Sequence, residues 1–298
     1  MAISRDQIDR WSNAPSEREE TKCQNTVERV KQIIRNHFGN DVYIYLQGSY
    51  RNRTNVKAES DVDIVIEHPN YYFPGLSSLS DVERTKYNAS SIAAEYSFDR
   101  FKADVHALLQ SDFGSTYVKR KNKCIRVEKD AYRVNADVIP CYTYKRFSTA
   151  TLVEVEGIGL KADSGEVIDS FPKQHYENGA SKNLSTDGRY KGVVRVLKNV
   201  RNELLDQRQI SEDLMRSFFL ECLVWNVPNS DFNYGSLYDT TRQIIFRIWD
   251  DMVKPEKASN YAEVSDLKWL LRGSESTSKI NNARMFMEKA WQFIGYQS

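Results

Sequence analysis

Two aspartates, Asp61 and Asp63, are separated by one residue at the start of an apolar run that is typical of a β-strand. Because side chains at i and i+2 of a strand project from the same face, both carboxylates can hold the same divalent metal ions. A Gly48-Ser49 pair follows another strand-like run, residues 42–47, and can offer backbone N–H groups and a hydroxyl to a phosphate chain. The pattern predicts an enzyme that moves nucleotides with divalent metals.

Asp137 supplies a third carboxylate, within a strand-like segment of residues 132–139 that we predict to neighbour the first. Three carboxylates suit two Mg²⁺ ions, with Mn²⁺ as an alternative. Asp61 and Asp63 would bridge the metals, and Asp137 would hold the one nearest the acceptor hydroxyl and help to take its proton. A lone Asp would more often simply end a strand, but the Gly-Ser pair and the two aspartates upstream favour the metal site.

Composition is that of a soluble globular protein: 298 residues, 40% hydrophobic and 28% charged. No apolar run approaches the roughly 20 residues of a membrane span, and we expect no signal peptide and a cytoplasmic location. The net charge of +1 gives no general bias toward polyanions, so phosphate chemistry must rest on local patches. The four cysteines are scattered without a C-x-x-C pair, which favours reduced structural thiols over a zinc site.

Local patterns predict the elements that position these residues. Ser4 to Gln7 and Ser16 to Glu19 resemble capping boxes, and Gly39 is the expected end of the helix that the second one opens. Residues 81–109 are predicted as helix in two pieces broken near 98–99. Residues 117–127 and 132–139 are predicted as strands paired across 128–131.

A passage rich in turn-forming residues, containing Gly157, Gly159, Gly165 and Pro172, is predicted to be loop and to mark a boundary between lobes. Beyond it the sequence predicts helices almost exclusively, at 187–207, 211–226, 236–253, 262–272 and 276–294. The predicted fold class is therefore α+β. The lobe that carries the three aspartates, a mixed sheet with helices, spans residues 1–165 and includes the N-terminal helices, and a helical lobe spans 166–298.

The helix at 187–207 carries an apolar stripe and, on another face, a polar one that recurs at i, i+4, i+7 and i+11: Lys191, Arg195, Lys198 and Asn202. Such a stripe is usually a solvated surface. Opposite a metal-bound triphosphate it would instead neutralise the β- and γ-phosphates.

Gly48-Ser49, Asp61-x-Asp63 and Asp137 together resemble the signature of the polymerase-β-like nucleotidyltransferases. The segments 47–51, 59–64 and 136–140 resemble more narrowly the bacterial cGAS/DncV-like nucleotidyltransferases, or CD-NTases, the oligonucleotide cyclases of CBASS antiphage signalling. They are relatives of the animal DNA sensor that makes cyclic GMP–AMP. Residues 190–202 and 216–221 fit too, so that the resemblance spans roughly residues 16 to 225.

This resemblance implies a catalytic lobe and a helical lobe with the active site in the cleft between them. The implied reaction condenses two or three nucleoside triphosphates (ATP, UTP, GTP or CTP) into a cyclic di- or trinucleotide with release of pyrophosphate. The residues that it implies for the triphosphate, beside the Gly-Ser pair, are Lys198, Lys191 and Ser217. Phe218 would lie against a base, although core packing is an equal alternative.

The segment 171–179 is predicted to be a loop bordering that cleft, where substitutions in the resembling cyclases help to decide purine against pyrimidine. Asn178 is a candidate base reader because an amide offers one donor and one acceptor, and His175 would stand behind it. Asn178 could equally cap the loop before Gly179.

Without the resemblance, the residues themselves allow other functions. A template-independent enzyme acting on RNA ends, or one that modifies a small molecule or a protein, would use the same three aspartates. A catalytically dead binder would not need all three. We expect a monomer without direct activation by DNA, since a zinc cluster and a basic platform are missing from the sequence. A regulatory partner protein or constitutive activity, the bases used, the ring size, the linkage and the receptor remain undecided.

Overall fold

The computed structural model describes residues 3–14, 17–56 and 61–296, so the capping box at Ser16 lies outside the described residues. The chain divides into two compact units. A sheet unit comprises Ser16–Tyr50 and Ser60–Pro172, and a helical unit comprises Met1–Pro15, Arg51–Glu59 and Lys173–Ser298. Within the described residues, no helix has both the length and the apolar character needed to cross a bilayer.

The bounds of the strands and helices are as follows. The strands are β1 (Tyr43–Gln47), β2 (Val62–Gly75), β3 (Val118–Arg120), β4 (Ile125–Val127), β5 (Ala136–Phe147), β6 (Val153–Lys161) and β7 (Val167–Ser170). The helices are α1 (Arg5–Ser12), α2 (Glu17–Phe38), α3 (Gly48–Asn52), α4 (Asp81–Ser90), α5 (Phe98–Phe113), α6 (Pro172–Ser185), α7 (Arg189–Asp206), α8 (Ser217–Asn226), α9 (Leu237–Met252), α10 (Pro255–Ala258) and α11 (Ser276–Ile294).

The sheet of the first unit is mixed, in the order β1-β2-β5-β4-β3, with β6 paired to β5 and β7 to β6. Among these described strands, the central pair β2 and β5 is parallel, and the other pairings are antiparallel. Ile64 and Ile66 of β2 are fully buried beside apolar residues of α2 and α5, such as Val30 and Phe101. Burial of this kind, at roughly 25 cal/mol per Å² of apolar surface, holds β2 and β5 rigidly in the centre of the unit. The predicted α+β class is confirmed.

The predicted helix after the N-terminal segment is confirmed as α2, and Gly39 ends it at φ +56°. The two helical pieces predicted within 81–109 are confirmed as α4 and α5. The predicted break near 98–99 is wrong, because the break lies at residues 91–97 and residues 98–99 begin α5 after the Ser97 cap. The single strand predicted at 117–127 is wrong. It folds into the β3–β4 hairpin, and β4 is the part of it that pairs with β5.

The loop predicted around Gly157 and Gly159 is also wrong, because both glycines lie inside β6. A β-carbon on Gly159 would lie 2.8 Å from Cδ2 of Phe73, and one on Gly157 would lie 2.4 Å from the backbone oxygen of Ser170. These glycines therefore leave space for neighbouring groups rather than bend the chain. Gly165, in contrast, forms a turn, at φ +92°.

The helical unit is built around α7, which is buried on nearly every side. The first helix, α1, has the predicted Ser4 cap on the backbone N–H of Gln7, at 3.2 Å. It belongs to this unit because Ile8 is fully buried in the core that surrounds Tyr190. The units thus differ from the expected division at residues 165 and 166: α1 joins the helical part, and β7 stays with the sheet.

Two further predictions in this unit are wrong. Residues 172–179 form the start of α6 instead of a loop, because proline suits the first position of a helix, where its missing N–H is not needed. Residues 262–272 are irregular instead of helical, with a bridge between Ala262 and Trp269. The helix predicted from residue 211 begins at Ser217, whereas those predicted at 187–207, 236–253 and 276–294 are confirmed as α7, α9 and α11.

Candidate active site

The three candidate metal ligands, Asp61, Asp63 and Asp137, lie at the starts of the two central strands of the sheet unit. Asp63 of β2 and Asp137 of β5 are register partners in the parallel pair. Register partners project from the same face of a sheet, roughly 4.8 Å apart along the hydrogen-bonding direction. Asp61 precedes β2 by one residue and shares the i, i+2 relation with Asp63. The structure therefore brings the three predicted carboxylates to one end of the sheet, as neighbours in sequence and in register.

Gly48 and Ser49 lie beside the same carboxylates. Gln47, the last residue of β1, pairs with Asp63, and the next residue opens the five-residue helix α3. Gly48 has φ +68°, and a β-carbon there would lie 2.0 Å from Oδ2 of Asp63. A larger residue could not occupy this position without moving the carboxylate. The predicted Gly-Ser turn is thus a short helical turn, with Ser49 half-buried as its second residue.

Arg126 joins two of the three carboxylates. Its Nη1 donates to Oδ1 of Asp137 at 3.0 Å, and its Nη2 donates to Oδ2 of Asp61 at 2.7 Å. The side chain of Asn135 donates to the other oxygen of Asp61 at 3.0 Å. Sequence reasoning missed both donors, although a correct register for the strand that contains Arg126 would have placed it opposite Asp137.

Cys124 lies against the same group. Its pKa is raised to about 12, by burial first and then by the carboxylates of Asp137, with which the thiol is hydrogen-bonded, and Asp63. A thiol with so high a pKa stays protonated at neutral pH and is a poor nucleophile or metal ligand. This agrees with the expectation that the cysteines are structural, and none of the four takes part in a disulfide within the described part of the chain.

Carboxylate oxygens are the ligands that Mg²⁺ and Mn²⁺ prefer, so the donor chemistry of this end of the sheet fits such ions. Among residues 3–14, 17–56 and 61–296, however, no three His, Cys, Asp or Glu side chains are arranged as a ligand set for a metal ion. The guanidinium of Arg126 instead forms ion pairs with Asp61 and Asp137. A positively charged side chain therefore lies between two of the three carboxylates.

In the helical unit, Lys198 is buried. Its side chain is 1% exposed, and its Nζ lies 3.5 Å from Oε2 of Glu221 and 3.5 Å from Oγ1 of Thr54. Oε1 of Glu221 in turn lies 3.0 Å from Nε2 of His175. Burial alone would raise the pKa of Glu221, but Lys198, His175 and Thr54 together bring it down to about 2. Lys198, His175 and Thr54 therefore surround a buried carboxylate that remains charged.

The expected solvated face of α7 is not observed. Lys191 is half-buried, and burial in the first place lowers its pKa. Arg195 donates to the backbone oxygens of Ser12 and Arg53, both at 2.5 Å, and its pKa is lowered to about 10 by burial and by Arg53. The stripe recurs at helical spacing as predicted, but it faces protein because α7 is the central helix of its unit.

Ser217 and Phe218 open α8. Phe218 is 49% exposed, so core packing is excluded as its role, and its ring centroid lies 5.8 Å from that of His175. Asn178 lies on α6, where its amide nitrogen donates to the backbone oxygen of Val264 at 2.9 Å. It does not cap a loop, and its amide is already half engaged. Both residues remain predictions as contacts to a base.

Comparisons with known proteins cover almost the whole chain. The family model of the cGAS/DncV-like nucleotidyltransferase C-terminal helical domain matches residues 177–295, and that of the nucleotidyltransferase domain matches residues 27–152. A cyclic dipurine nucleotide synthase from Elizabethkingia meningoseptica is 44% identical over 297 residues, all of both chains. A cyclic dipyrimidine nucleotide synthase, CdnE, from Cecembia lonarensis is 34% identical over 95% of this chain and 96% of that protein.

Solved structures agree with these sequence matches. The CdnE cyclic dinucleotide synthase from Elizabethkingia meningoseptica, with GTP and Apcpp, superposes with a TM-score of 0.82 at 42% identity, over 99% of this chain and 100% of that one. The CdnE c-UMP-AMP synthase from Rhodothermus marinus, with Apcpp and Upnpp, superposes with a TM-score of 0.81 at 29% identity, over 99% of both chains.

Proposed function

The chain belongs to the cGAS/DncV-like nucleotidyltransferases, and on that premise we propose that it condenses two nucleoside triphosphates into a cyclic dinucleotide. A ribose hydroxyl of one nucleotide attacks the α-phosphorus of the other. The bond from that phosphorus to the β-phosphate oxygen breaks, pyrophosphate leaves and the hydroxyl proton is lost. A second attack of the same kind, in the reoriented linear product, closes the ring; a third nucleotide would give a cyclic trinucleotide.

One observation carries this proposal: Asp63 and Asp137 are register partners at the starts of two parallel strands, and Gly48 adjoins the carboxylate of Asp63. We assign Asp61, Asp63 and Asp137 to holding two Mg²⁺ ions, or Mn²⁺ in their place. When bound, such ions lower the pKa of the attacking hydroxyl and stabilise the in-line transition state. Asp137 is assigned in addition to receiving the proton of that hydroxyl.

The remaining assignments concern the nucleotides. Gly48 and Ser49 can present a backbone N–H and a hydroxyl to the γ-phosphate. From the helical unit, Lys198, Lys191 and Ser217 are proposed for the triphosphate. Phe218 is proposed to stack on a base because the residue is 49% exposed, with His175 beside it and Asn178 as a reader of the base edge.

Purine nucleoside triphosphates, ATP and GTP, are the proposed substrates. The support is the 44% identical relative, a cyclic dipurine nucleotide synthase, and the structure of a CdnE synthase from the same organism with GTP and Apcpp. The 34% identical cyclic dipyrimidine nucleotide synthase makes UTP and CTP the second choice. The same relatives favour a cyclase over an enzyme that acts on RNA ends, on a small molecule or on a protein.

The setting of the reaction is also a proposal. A cyclic dinucleotide made from ATP and GTP is suited to be a second messenger, and we propose antiphage signalling in the bacterial cytoplasm, where these triphosphates are available. A regulatory partner protein would fit such signalling, since uncontrolled synthesis would consume nucleotides. The enzyme is proposed to act as a monomer, without direct activation by DNA.

The test is an incubation of the purified protein with labelled ATP, GTP, UTP and CTP, singly and in pairs, with Mg²⁺ and without primer. We expect a product resistant to phosphatase, formed from purines in preference to pyrimidines, with release of pyrophosphate. A product that appears only when RNA or another acceptor is added would contradict the proposal. A product made from pyrimidines alone would contradict the choice of bases only.

A further inference from the structure

The sheet unit contains a positive charge at the carboxylates that the proposed chemistry does not use. We propose that the Arg126 guanidinium takes the place of a metal ion in the free enzyme. It bridges Asp61 and Asp137 when no ions are bound, and it must move away from both carboxylates when ions bind. Arg126 would thereby set how tightly the free enzyme binds Mg²⁺ or Mn²⁺. The inference rests on the proposed function, because it takes these carboxylates to be the metal ligands.

The geometry fits a bridge rather than a chance surface contact. Arg126 of β4 and Asp137 of β5 are register partners, so the backbone fixes their side chains on one face of the sheet. One guanidinium nitrogen lies 3.0 Å from Asp137 and the other 2.7 Å from Asp61. The Arg126 side chain is only 22% exposed, so water screens both contacts less than it would at an open surface.

Arg126 would compete with a metal ion because both bind the carboxylate oxygens of Asp61 and Asp137. The amide of Asn135 and the guanidinium occupy the two oxygens of Asp61, and the thiol of Cys124 and the same guanidinium both bind to Asp137. A divalent cation needs lone pairs of these carboxylates. It would also be repelled by a guanidinium held within a few ångströms of it. Either the arginine moves away or binding is weak.

Bound nucleotide changes this balance, because a triphosphate brings its own oxygens to the ions and its negative charge attracts a displaced guanidinium. The bridge would therefore make metal binding depend on substrate: weak in the free enzyme and strong with a triphosphate present. In the absence of nucleotide the site would then bind few metal ions, although its carboxylates remain ionised and able to bind them once a triphosphate is present.

The test measures Mn²⁺ binding to the full chain without nucleotide, by electron paramagnetic resonance of free Mn²⁺. Arg126→Met removes the competing charge and should tighten binding by about tenfold, equivalent to about 1.4 kcal/mol. Arg126→Lys keeps the charge but cannot bridge both aspartates, and should give a smaller gain. Adding Asp137→Asn to either Arg126 variant should abolish the increase in Mn²⁺ affinity. That result would show that the extra Mn²⁺ binds at these carboxylates.

Arg120→Met is the matched control. Arg120 lies on β3, the strand next to β4. It forms a comparable two-point ion pair, at 2.9 and 3.1 Å, but with Asp163 instead of Asp61 and Asp137. Its loss should leave Mn²⁺ affinity unchanged. The melting temperature gives a second readout: without metal Arg126→Met should melt below the wild type, and added Mn²⁺ should raise its melting temperature more than that of the wild type.

Unchanged or weaker Mn²⁺ binding in both Arg126 variants would overturn the inference and make the arginine a fixed support of the carboxylates. The proposed function is judged separately, by whether the wild type makes a cyclic product. A wild type that makes this product while its Arg126 variants bind Mn²⁺ no better refutes the bridge alone.

Discussion

A β-carbon on Gly48 would lie 2.0 Å from Oδ2 of Asp63, much closer than a β-carbon can approach an unbonded oxygen. Because Gly48 has no side chain, the carboxylate of Asp63 can lie directly against its backbone. Gly48 also has φ +68°, a conformation that is costly for a residue with a β-carbon. The Gly-Ser pair thus has a structural role in the site besides the phosphate contact expected from its sequence.

Gly48→Ala should accordingly lose activity beyond what backbone strain explains. Gly39→Ala is the matched control, since Gly39 has φ +56° but, apart from the adjacent stretch of chain, no atom of the described residues lies within 4 Å of where its β-carbon would be. Each substitution should cost about 1–2 kcal/mol of unfolding free energy from strain. Only Gly48→Ala should reduce turnover, by about 100-fold, because it displaces a carboxylate at the reacting centre. Equal turnover in the two variants, measured by pyrophosphate release, would argue against this role.

Phe218 offers a test of base contact in the helical unit. Phe218→Ala should raise KM for the nucleoside triphosphates by about tenfold, since stacking on a base is worth about 1–3 kcal/mol. Stability should change little, because the ring is 49% exposed. Phe246→Ala, which removes a ring that is 50% exposed on α9, should leave KM as in the wild type. If both variants shift KM alike, Phe218 is not a specific contact.

The depressed pKa of Glu221 predicts that the protein loses folding stability at acid pH. Its pKa is lowered from 4.5 to about 2, so the unfolded chain binds this proton more readily than the folded one. The stability from this group is therefore complete above about pH 4.5 and is lost as the pH falls through about 2. The difference corresponds to about 3 kcal/mol of unfolding free energy.

Denaturant unfolding between pH 7 and 2.5 measures this contribution. Glu221→Gln should lower stability at pH 7, since it leaves the Lys198 ammonium buried without its counter-charge, and should flatten the profile below pH 4.5. Glu275→Gln, at a carboxylate that is 75% exposed, should keep the wild-type profile. An identical acid slope in the wild type and Glu221→Gln would assign the acid limit to other groups.

Parts of both units could be predicted because their signals are local. The apolar face of α2, the cap at Ser4 and the i, i+2 aspartates each act within a few residues. The register of β4 could not be predicted. The connection between β4 and β5 comprises residues 128–135 rather than 128–131, and within it Asp130 accepts from the backbone N–H groups of Tyr132 and Arg133. That longer loop sets Arg126 opposite Asp137, whereas a tight turn would have set it elsewhere.

The other misassignments have tertiary causes. Gly157 and Gly159 resemble loop residues until the neighbours that need their space are known. Apolar residues at 262, 264, 270 and 271 suggest helical spacing, but they are buried from an irregular segment held by backbone bonds such as Leu270 N–H to the oxygen of Tyr261. The burial of Lys198 depends on Glu221 and Thr54, which lie far from it in sequence.

A double variant, Asp61→Ala with Asp63→Ala, decides whether these carboxylates are essential for the reaction. Its cyclic product is assayed with ATP, GTP and Mg²⁺ without primer. Asp81→Ala with Asp213→Ala removes two carboxylates that are 100% and 90% exposed, and serves as the charge-matched control. We predict that the first variant keeps its circular dichroism spectrum and makes no phosphatase-resistant product, whereas the control makes as much as the wild type. Cyclic product from a correctly folded Asp61→Ala, Asp63→Ala enzyme would contradict the assignment of the carboxylates.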